Sequence, residues 1–296
     1  DIIIRSATVA NPQTAFGAGS GQENSVNLSQ TVRTGHDSYI YIRMQNRGSV
    51  PATNVDVNLY WSPSSTLITP AMWHPVGSVR VPSVPTGNVL MVSPSILWPA
   101  AQVPPGHYCF IAVAGTVHDE APNPSAFTTL DQYATFLQRN NNVAMRNFHV
   151  VDRQLNGPYQ AGFIVPGWFD TGHKFRIEGM GKLPVGSTVY VEVPAWLADA
   201  MRPHQVPVKY DAKRGTARFP LNPWGTQALG TAYLHAGSVA ECRVEVSIPK
   251  EHAIYPYEYA VRQMYGDIEV GRVTWLLMPD QKSEPVIPPK KGSKRG

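Results

Sequence analysis

The amino-acid sequence predicts an all-β fold built as two consecutive β-sandwich domains, with one short helix inserted in each. Three observations support this prediction. Short runs in which apolar residues alternate with polar ones recur along most of the 296-residue chain. Turn-forming residues are abundant, with 24 Gly and 27 Pro, whereas charged residues make up only 16%. The chain is also about twice as long as a typical domain, so two domains are expected.

The clearest strands lie on either side of a polar turn. Apolar side chains alternate with other residues in 39–44 and again in 55–60, so each run has one apolar face. Between the two runs, Asn46, Gly48 and Pro51 tolerate or impose a bend. We predict two strands that are joined by this turn and lie side by side. One strand pair cannot bury its apolar face alone, so a second sheet must cover it.

The remaining elements of the first half follow from the same patterns. Further strands are predicted at 2–5, 76–81, 88–92, 107–114 and 143–151. The run at 107–114 is apolar on both faces and should lie at the centre of a sheet. Helical spacing of apolar residues behind Ser125 predicts a helix at about 126–139. With about seven strands, residues 1–152 have the strand count of an immunoglobulin-like sandwich. The polar loop at 10–38 is long enough to be functional or mobile.

The second half predicts another sandwich at residues 153–280. Its strands are expected at 160–165, 173–178, 187–193, 206–210, 215–220, 229–234, 240–248, 257–263 and 268–277. A short helix should begin at Ala195. The last two strands flank the sequence YGD, which is typical of a β-hairpin. Residues 281–296 have no periodicity and are predicted to form a disordered basic tail.

Two sequence stretches resemble one known family. NRGSVPATNVDVNLYW at 46–61 and GHYCFIAVAG at 106–115 are similar, in this order, to the CARDB family, the cell-adhesion-related domains of bacteria. The resemblance covers residues 1–151. It implies an immunoglobulin-like sandwich that serves as an accessory module in secreted and cell-surface bacterial proteins, often beside a catalytic domain such as a protease. The family has no shared catalytic residues, and the long loop at 10–38 departs from its simplest members.

Charge and hydropathy restrict the classes of partner. The formal net charge of +4 resides in 281–296, which hold five basic residues and one acidic residue, Lys282, Lys290, Lys291, Lys294, Arg295 and Glu284. A neutral body argues against a nucleic-acid-binding face, because phosphate affinity needs clustered Lys and Arg. No apolar run reaches the ~18 residues of a membrane span. We expect a protein partner or an attached catalytic domain, with a glycan or an oligomer as alternatives.

The sequence contains no local signature of catalysis or of a cofactor. HExxH, CxxC and GxSxG are absent, so we expect no cofactor and no enzyme activity, with a dispersed triad as the remaining alternative. His118, Asp119 and Glu120 are the one tight cluster of side chains able to bind a metal. Three adjacent residues rarely converge on one ion, which favours a solvated loop. Cys109 and Cys242 are predicted to be separate buried thiols rather than a disulfide.

Five tryptophans near Pro or Gly in predicted loops are the candidate ligand-binding residues: Trp61, Trp73, Trp98, Trp168 and Trp224. A flat side chain in a loop can stack on a sugar ring or anchor a partner. The alternative, which we favour, is that these side chains plug the open ends of the sandwiches. An exposed cluster of three or more would support binding instead.

These observations predict a non-catalytic binding or accessory module of a bacterial secreted or surface protein, mediating adhesion or protein–protein assembly. One alternative is a structural subunit of an extracellular assembly, in which sheet edges and the loop at 10–38 join neighbouring copies. Another is a carbohydrate-binding module that uses loop tryptophans. The expected location is extracellular or at the cell surface. Because the chain begins with a strand-like sequence, we expect a processed protein or a piece of a longer one.

Overall fold

A computed structural model gives the fold and describes residues 1–25, 28–30, 32, 35–103, 107–123, 126–149, 158–252 and 257–277. Strands account for 50% of the structure and helices for 11%, arranged in several sheets, which confirms the all-β, sandwich-type prediction. Neither α-helices nor shorter helical turns in the described ranges have the length and apolar character that a membrane crossing needs. The predicted tail at 281–296 lies outside the described residues.

The first portion of the chain folds into two facing sheets. Its strands are β1 (Ile2–Arg5), β2 (Ser38–Met44), β3 (Ala52–Pro63), β4 (His74–Val84), β5 (Met91–Val92), β6 (Ile96–Trp98), β7 (His107–Gly115) and β8 (Val143–His149). In the first sheet β2 pairs with β1, β5 and β6, and the second has the order β4-β3-β7-β8. The prediction that 107–114 is a central strand is confirmed, because β7 pairs with β3 on one side and with β8 on the other.

β2 and β3 belong to different sheets, so the prediction that these strands lie side by side was wrong. Their apolar faces point at each other, and Ile42 of β2 shares a buried core with Val57 of β3. The turn at 45–51 carries the chain across the ~10 Å that separates packed sheets. Alternation of apolar residues shows which side of a strand is buried, but it does not identify the hydrogen-bonded neighbour.

The side chain of Asn46 holds this turn in shape. Its amide nitrogen donates to the carbonyl of Val50 at 2.7 Å, and its Oδ1 accepts from the backbone N–H of Gly48 at 2.8 Å. Asn54, at the start of β3, has a φ of 50°, a left-handed conformation that Asn tolerates better than most residues. Asn46 in the turn and Asn54 in the following strand therefore serve the backbone in two different ways.

The second portion forms two further sheets. Its strands are β9 (Tyr159–Pro166), β10 (His173–Lys182), β11 (Thr188–Pro194), β12 (Lys209–Asp211), β13 (Thr216–Leu221), β14 (Trp224–Leu234), β15 (Val239–Ser247), β16 (Tyr257–Tyr265) and β17 (Ile268–Leu277). The sheet orders are β12-β13-β11-β15-β9 and β14-β10-β16-β17. The hairpin predicted at YGD is confirmed, since Tyr265 pairs with Ile268 and Gly266 has a φ of 58°.

Three α-helices accompany the strands: α1 (Pro12–Phe16), α2 (Leu130–Arg139) and α3 (Ala195–Ala200). α2 begins later than the predicted residue 126 because Thr129 caps it. The Thr129 hydroxyl accepts from the N–H of Gln132 at 3.3 Å, and the Gln132 side chain accepts from the N–H of Thr129 at 3.3 Å. Ser125, the predicted cap, lies outside the described residues. α1 was not predicted and lies within the loop at 10–38.

One hydrophobic core joins the two portions. β7 is buried on both faces: Phe110 packs inside the first sandwich, whereas Cys109 and Ile111 pack against residues of the second portion. The prediction of two separate buried thiols is confirmed, since Cys109 and Cys242 are both buried and neither forms a disulfide. Burial raises the pKa of the Cys109 thiol to about 12, which makes it a packing group rather than a nucleophile near neutral pH.

Candidate functional site

Four of the five candidate tryptophans lie inside or against the cores. Trp98 and Trp168 are fully buried and Trp73 is 8% exposed. Trp61 is half-buried and stacks on His74, with ring centroids 4.4 Å apart. These four side chains fill space between strands. No exposed cluster of three exists among the five.

Trp224 is the exception, because 66% of it is exposed. It opens β14 rather than lying in a loop, and its cross-strand partner is Lys182 at the end of β10. The residue after it, Gly225, has a φ of 89°, a conformation that L side chains rarely adopt. This backbone bend sets the indole at the end of the sheet, in solvent.

His118, Asp119 and Glu120 form an exposed turn between β7 and α2. The hydroxyl of Thr116 accepts hydrogen bonds from the backbone N–H groups of His118, at 3.2 Å, and Asp119, at 3.1 Å. The turn is thus organised by its backbone. Within the described ranges, no group of three or more His, Cys, Asp and Glu side chains is placed to hold a metal ion.

The described part of the loop at 10–38 is fastened to the outer side of the first sheet. Phe16 of α1 packs on Tyr41 of β2, with ring centroids 5.7 Å apart. Arg43, 8% exposed, donates to the carboxylate of Asp1 at 2.7 Å and to the carbonyl of Gln22 at 3.0 Å. Burial lowers the pKa of Arg43, and the charge of Glu23 opposes that effect. An arginine beneath the loop therefore fixes its path through backbone contacts.

A shallow cavity of about 450 Å³ lies where this loop enters β2. It is lined by Ser6, Gly35, His36, Asp37, Ser38, Tyr39 and Ala100. The Asp37 carboxylate already accepts a hydrogen bond from the N–H of Ala100 at 2.8 Å. The Asp37 carboxylate therefore already stabilises the backbone, and we do not select this cavity as the candidate site.

A second feature is the junction segment, which we define as residues 64–69 (SSTLIT). All six residues are buried, although the sequence is that of a polar connection. Ile164 of β9 donates its N–H to the carbonyl of Ser64 at 2.9 Å and accepts at its carbonyl from the N–H of Thr66 at 2.9 Å. The segment therefore makes a parallel bridge to the edge of the second portion's sheet.

Side chains complete this junction. The Thr66 hydroxyl donates to Oε1 of Gln263 at 2.7 Å, and Nε2 of Gln263 donates to the carbonyl of Pro166 at 3.0 Å. Gly271 allows the approach, because a Cβ there would lie 2.3 Å from the Thr66 carbonyl oxygen. Buried backbone and amide groups are thus satisfied, which is the condition for burying a polar segment. The junction fixes the orientation of the two portions.

The third feature is the outer face of the sheet β14-β10-β16-β17, meaning the side that points away from the core. Glu178 lies at its centre, 6% exposed, between Arg176 and Arg262, each of which approaches the carboxylate to 2.6 Å. Arg262 also pairs with Glu269 at 3.2 Å. Burial opposes ionisation of Glu178, but the hydrogen bonds and charges of both arginines dominate, and its pKa lies below its usual value.

Two exposed aromatic residues lie at the ends of this outer face, each beside a lysine. Trp224 pairs across the strands with Lys182, and Tyr233, 53% exposed, pairs with Lys174. Both lysines are exposed. Sequence reasoning selected Trp224 but missed Tyr233 and the charges. The alternating pattern of β10, HKFRIEGMGK, can be recognised in the sequence. Nothing in the sequence shows that β14 is the strand beside β10.

Comparisons with known proteins assign this chain to no family. No protein-family model matches the chain, and no curated protein matches it. One similar solved structure is described as the complete structure of manganese lipoxygenase of Gaeumannomyces graminis and partial structure of zonadhesin of Komagataella pastoris. The similarity covers 86% of this chain and 90% of that chain, with 11% identity and a TM-score of 0.23. A TM-score this low supports no inference about fold or function.

Proposed function

We propose that this chain is a non-catalytic binding module, an accessory or adhesion segment of a bacterial secreted or surface protein, with its outer face as the binding surface. The observation that carries the proposal is the pair of exposed aromatic residues, Trp224 and Tyr233, on a face whose centre holds the ion pairs of Glu178. Exposed aromatic side chains contribute large contact areas to partners. Here they stand on a sheet and not on loops, so binding would cost little conformational entropy.

The junction segment supports the same proposal. A module that presents a surface on behalf of an attached catalytic domain or protein partner needs a fixed frame. Contacts between portions of a chain that are small and polar allow hinge motion, whereas large hydrophobic ones prevent it. The shared core is of the second kind, and the buried hydrogen bond between Thr66 and Gln263 adds to it. We therefore expect the two portions to act as one rigid support.

Binding to bacterial envelope material tests the proposal without prior choice of a ligand. The fluorescently labelled 296-residue chain is incubated with washed, insoluble bacterial envelopes, and bound protein is measured against concentration. We expect saturable binding that unlabelled chain displaces. The double variant Trp224→Ala, Tyr233→Ala should bind more weakly by at least about tenfold, the effect of losing one interface anchor.

The matched control is Trp196→Ala, which removes a 45%-exposed tryptophan from α3, a helix that is not part of the outer face. This variant should bind like the parent. Equal binding by the double variant would contradict the choice of surface. Turnover of a peptide, ester or glycan substrate by the purified chain, abolished by a single His or acidic substitution, would refute the non-catalytic proposal.

A structural subunit is the second candidate, and β4 is the observation that favours it. This eleven-residue strand is at the edge of its sheet, where unpaired backbone groups can receive another strand. Pro75 and Pro82 in β4 lack an N–H and limit such pairing to the rest of the strand. Light scattering at rising concentration separates the candidates: a mass that grows with concentration supports assembly, and a constant monomer mass contradicts it.

A further inference from the structure

We propose that the outer face binds a linear anionic polysaccharide, which lies along β10 and β14. This inference rests on the proposed binding function and names the ligand class for that same surface. Three observations carry it: the spacing of two aromatic–lysine pairs, an excess of basic side chains, and the covered β14 edge of the sheet.

The two aromatic–lysine pairs lie at opposite ends of the paired strands β10 and β14. Lys174 and Lys182 are eight residues apart on one strand, which corresponds to about 27 Å at ~3.4 Å per residue. Each stands opposite an exposed aromatic residue, Tyr233 or Trp224. An aromatic ring can stack on the apolar face of a sugar, while the neighbouring ammonium group pairs with a carboxylate or sulfate. Repetition of this combination along a strand suits a polymer with repeating acidic sugars.

Basic residues outnumber acidic residues on the outer face. Its charged side chains are five basic and three acidic, Lys174, Arg176, Lys182, Arg262, Arg272, Glu178, Glu258 and Glu269. Arg176 uses its Nε to hold Glu178, and its side chain is 34% exposed, so further guanidinium N–H groups can reach a ligand. On β14, the residues opposite Arg176 and Glu178 are Thr231 and Ala228, whose small side chains leave space above the sheet.

A protein partner fits this arrangement less well. Protein interfaces concentrate their aromatic anchors near the centre in desolvated pockets. Here the centre is occupied by the ion pairs of Glu178, and the aromatic residues lie at the two ends. Surface exposure at both ends matches a chain-like ligand that crosses the whole sheet.

Strand addition at the β14 edge of this sheet is also obstructed. At β14, the carbonyl of Leu229 accepts from the N–H of Gln205 at 3.3 Å, and a Cβ on Gly230 would lie 2.7 Å from Cβ of Met201. At Gly271 of β17, the junction segment packs on the core side of the sheet. The outer face is therefore the side of this sheet that is left open to a ligand.

Calorimetric titration of the 296-residue chain with polygalacturonate tests the proposal. Fully methyl-esterified polygalacturonate has the same sugar backbone without charge, and polyglutamate has the charge without the sugars. A linear sulfated galactan distinguishes sulfate from carboxylate recognition. We expect binding to at least one of the two acidic polysaccharides, weakened by added salt because exposed charges are screened, and little binding to the ester or to polyglutamate.

Variants assign the binding to the outer face. Trp224→Ala and Tyr233→Ala should each weaken binding about tenfold, and Lys174→Gln with Lys182→Gln should remove most of the salt dependence. Trp196→Ala serves as the control for loss of an exposed tryptophan. All variants should keep the parent melting temperature, because these side chains are exposed.

Three outcomes would overturn the inference: binding of neither acidic polysaccharide, equal binding of polyglutamate, or binding that the aromatic substitutions leave unchanged. If envelope binding still depends on Trp224 and Tyr233 in the first case, the ligand class is wrong and the binding function stands. If envelope binding also fails, both proposals are refuted.

Discussion

Replacing Thr66 with Val tests whether the junction segment couples the two portions. The Thr66 hydroxyl donates to Gln263 at 2.7 Å, and both residues are 0% exposed. Valine has nearly the same shape but leaves the Gln263 oxygen without this donor. A buried acceptor that loses its partner costs about 1–3 kcal/mol, so we expect a loss of about 2 kcal/mol. At about 2–4 °C per kcal/mol for a protein of this class, the melting temperature should fall by about 4–8 °C.

Differential scanning calorimetry and urea unfolding of the full chain measure this change. Thr188→Val, at an exposed strand position, is the matched control and should change stability by less than about 0.5 kcal/mol. A double-mutant cycle with Gln263→Leu isolates the contribution of the pair, since contacting residues couple by about 0.5–3 kcal/mol. Because the two portions share one core, the parent should unfold in a single transition.

Two results would refute this reasoning. The first is a coupling energy near zero in the cycle, which would show that the Thr66–Gln263 hydrogen bond contributes nothing to the junction. The second is a parent protein that melts in two resolved transitions, only one of which moves in the Thr66→Val variant. In that case the two portions would fold independently, and the outer face would lack the rigid support proposed above.

Three further perturbations follow from individual contacts. Gly271→Ala forces a Cβ against a backbone carbonyl and should cost about 1–3 kcal/mol in urea unfolding, whereas Gly162→Ala, with 3.9 Å to its nearest neighbour, should be tolerated. Cys109 and Cys242 should react with a thiol reagent at pH 8 only after unfolding, because both are buried; rapid reaction of the native protein would contradict this. Glu178→Gln should lower the free energy of unfolding by about 2 kcal/mol at pH 7, since it deprives two arginines of their carboxylate. The folded pKa of Glu178 lies below its ordinary value. The stability difference between the parent and Glu178→Gln should therefore shrink as the pH falls from about 4.3 through the folded pKa, which urea titrations at several pH values can measure. A difference that grows as the pH falls would be inconsistent with this prediction.

Local patterns predicted most strands and the hairpin at YGD, but not how the other strands pair. The run at 107–114 was placed at a sheet centre because both of its faces are apolar, and β7 occupies that place. The run at 39–44 was identified as a strand, yet it was paired with the wrong neighbour. Side-chain periodicity is a property of one strand, whereas pairing depends on turn length and on the alternatives elsewhere in the chain.

The candidate site shows the same division. Trp98, Trp168 and Trp224 looked alike in sequence, each near Pro or Gly, but the first two are buried and the third is exposed. Tyr233 was not selected, because one aromatic residue in an alternating strand is as typical of a core as of a surface. Its functional interest comes from the neighbouring strand, which sets Lys174 opposite it.

By itself, the sequence determined the all-β class, the position of the central strand and the reduced, buried state of both cysteines. These features follow from composition and from periodicity within single strands. Only the tertiary structure decided that the polar segment at 64–69 is a buried junction and that the outer face of one sheet joins aromatic and basic residues. Both depend on groups distant in the chain: Ile164 and Gln263 satisfy the junction, and four strands together make the face. Long-range pairing of this kind is decided by the whole chain, because each backbone and side-chain group competes for every partner within reach.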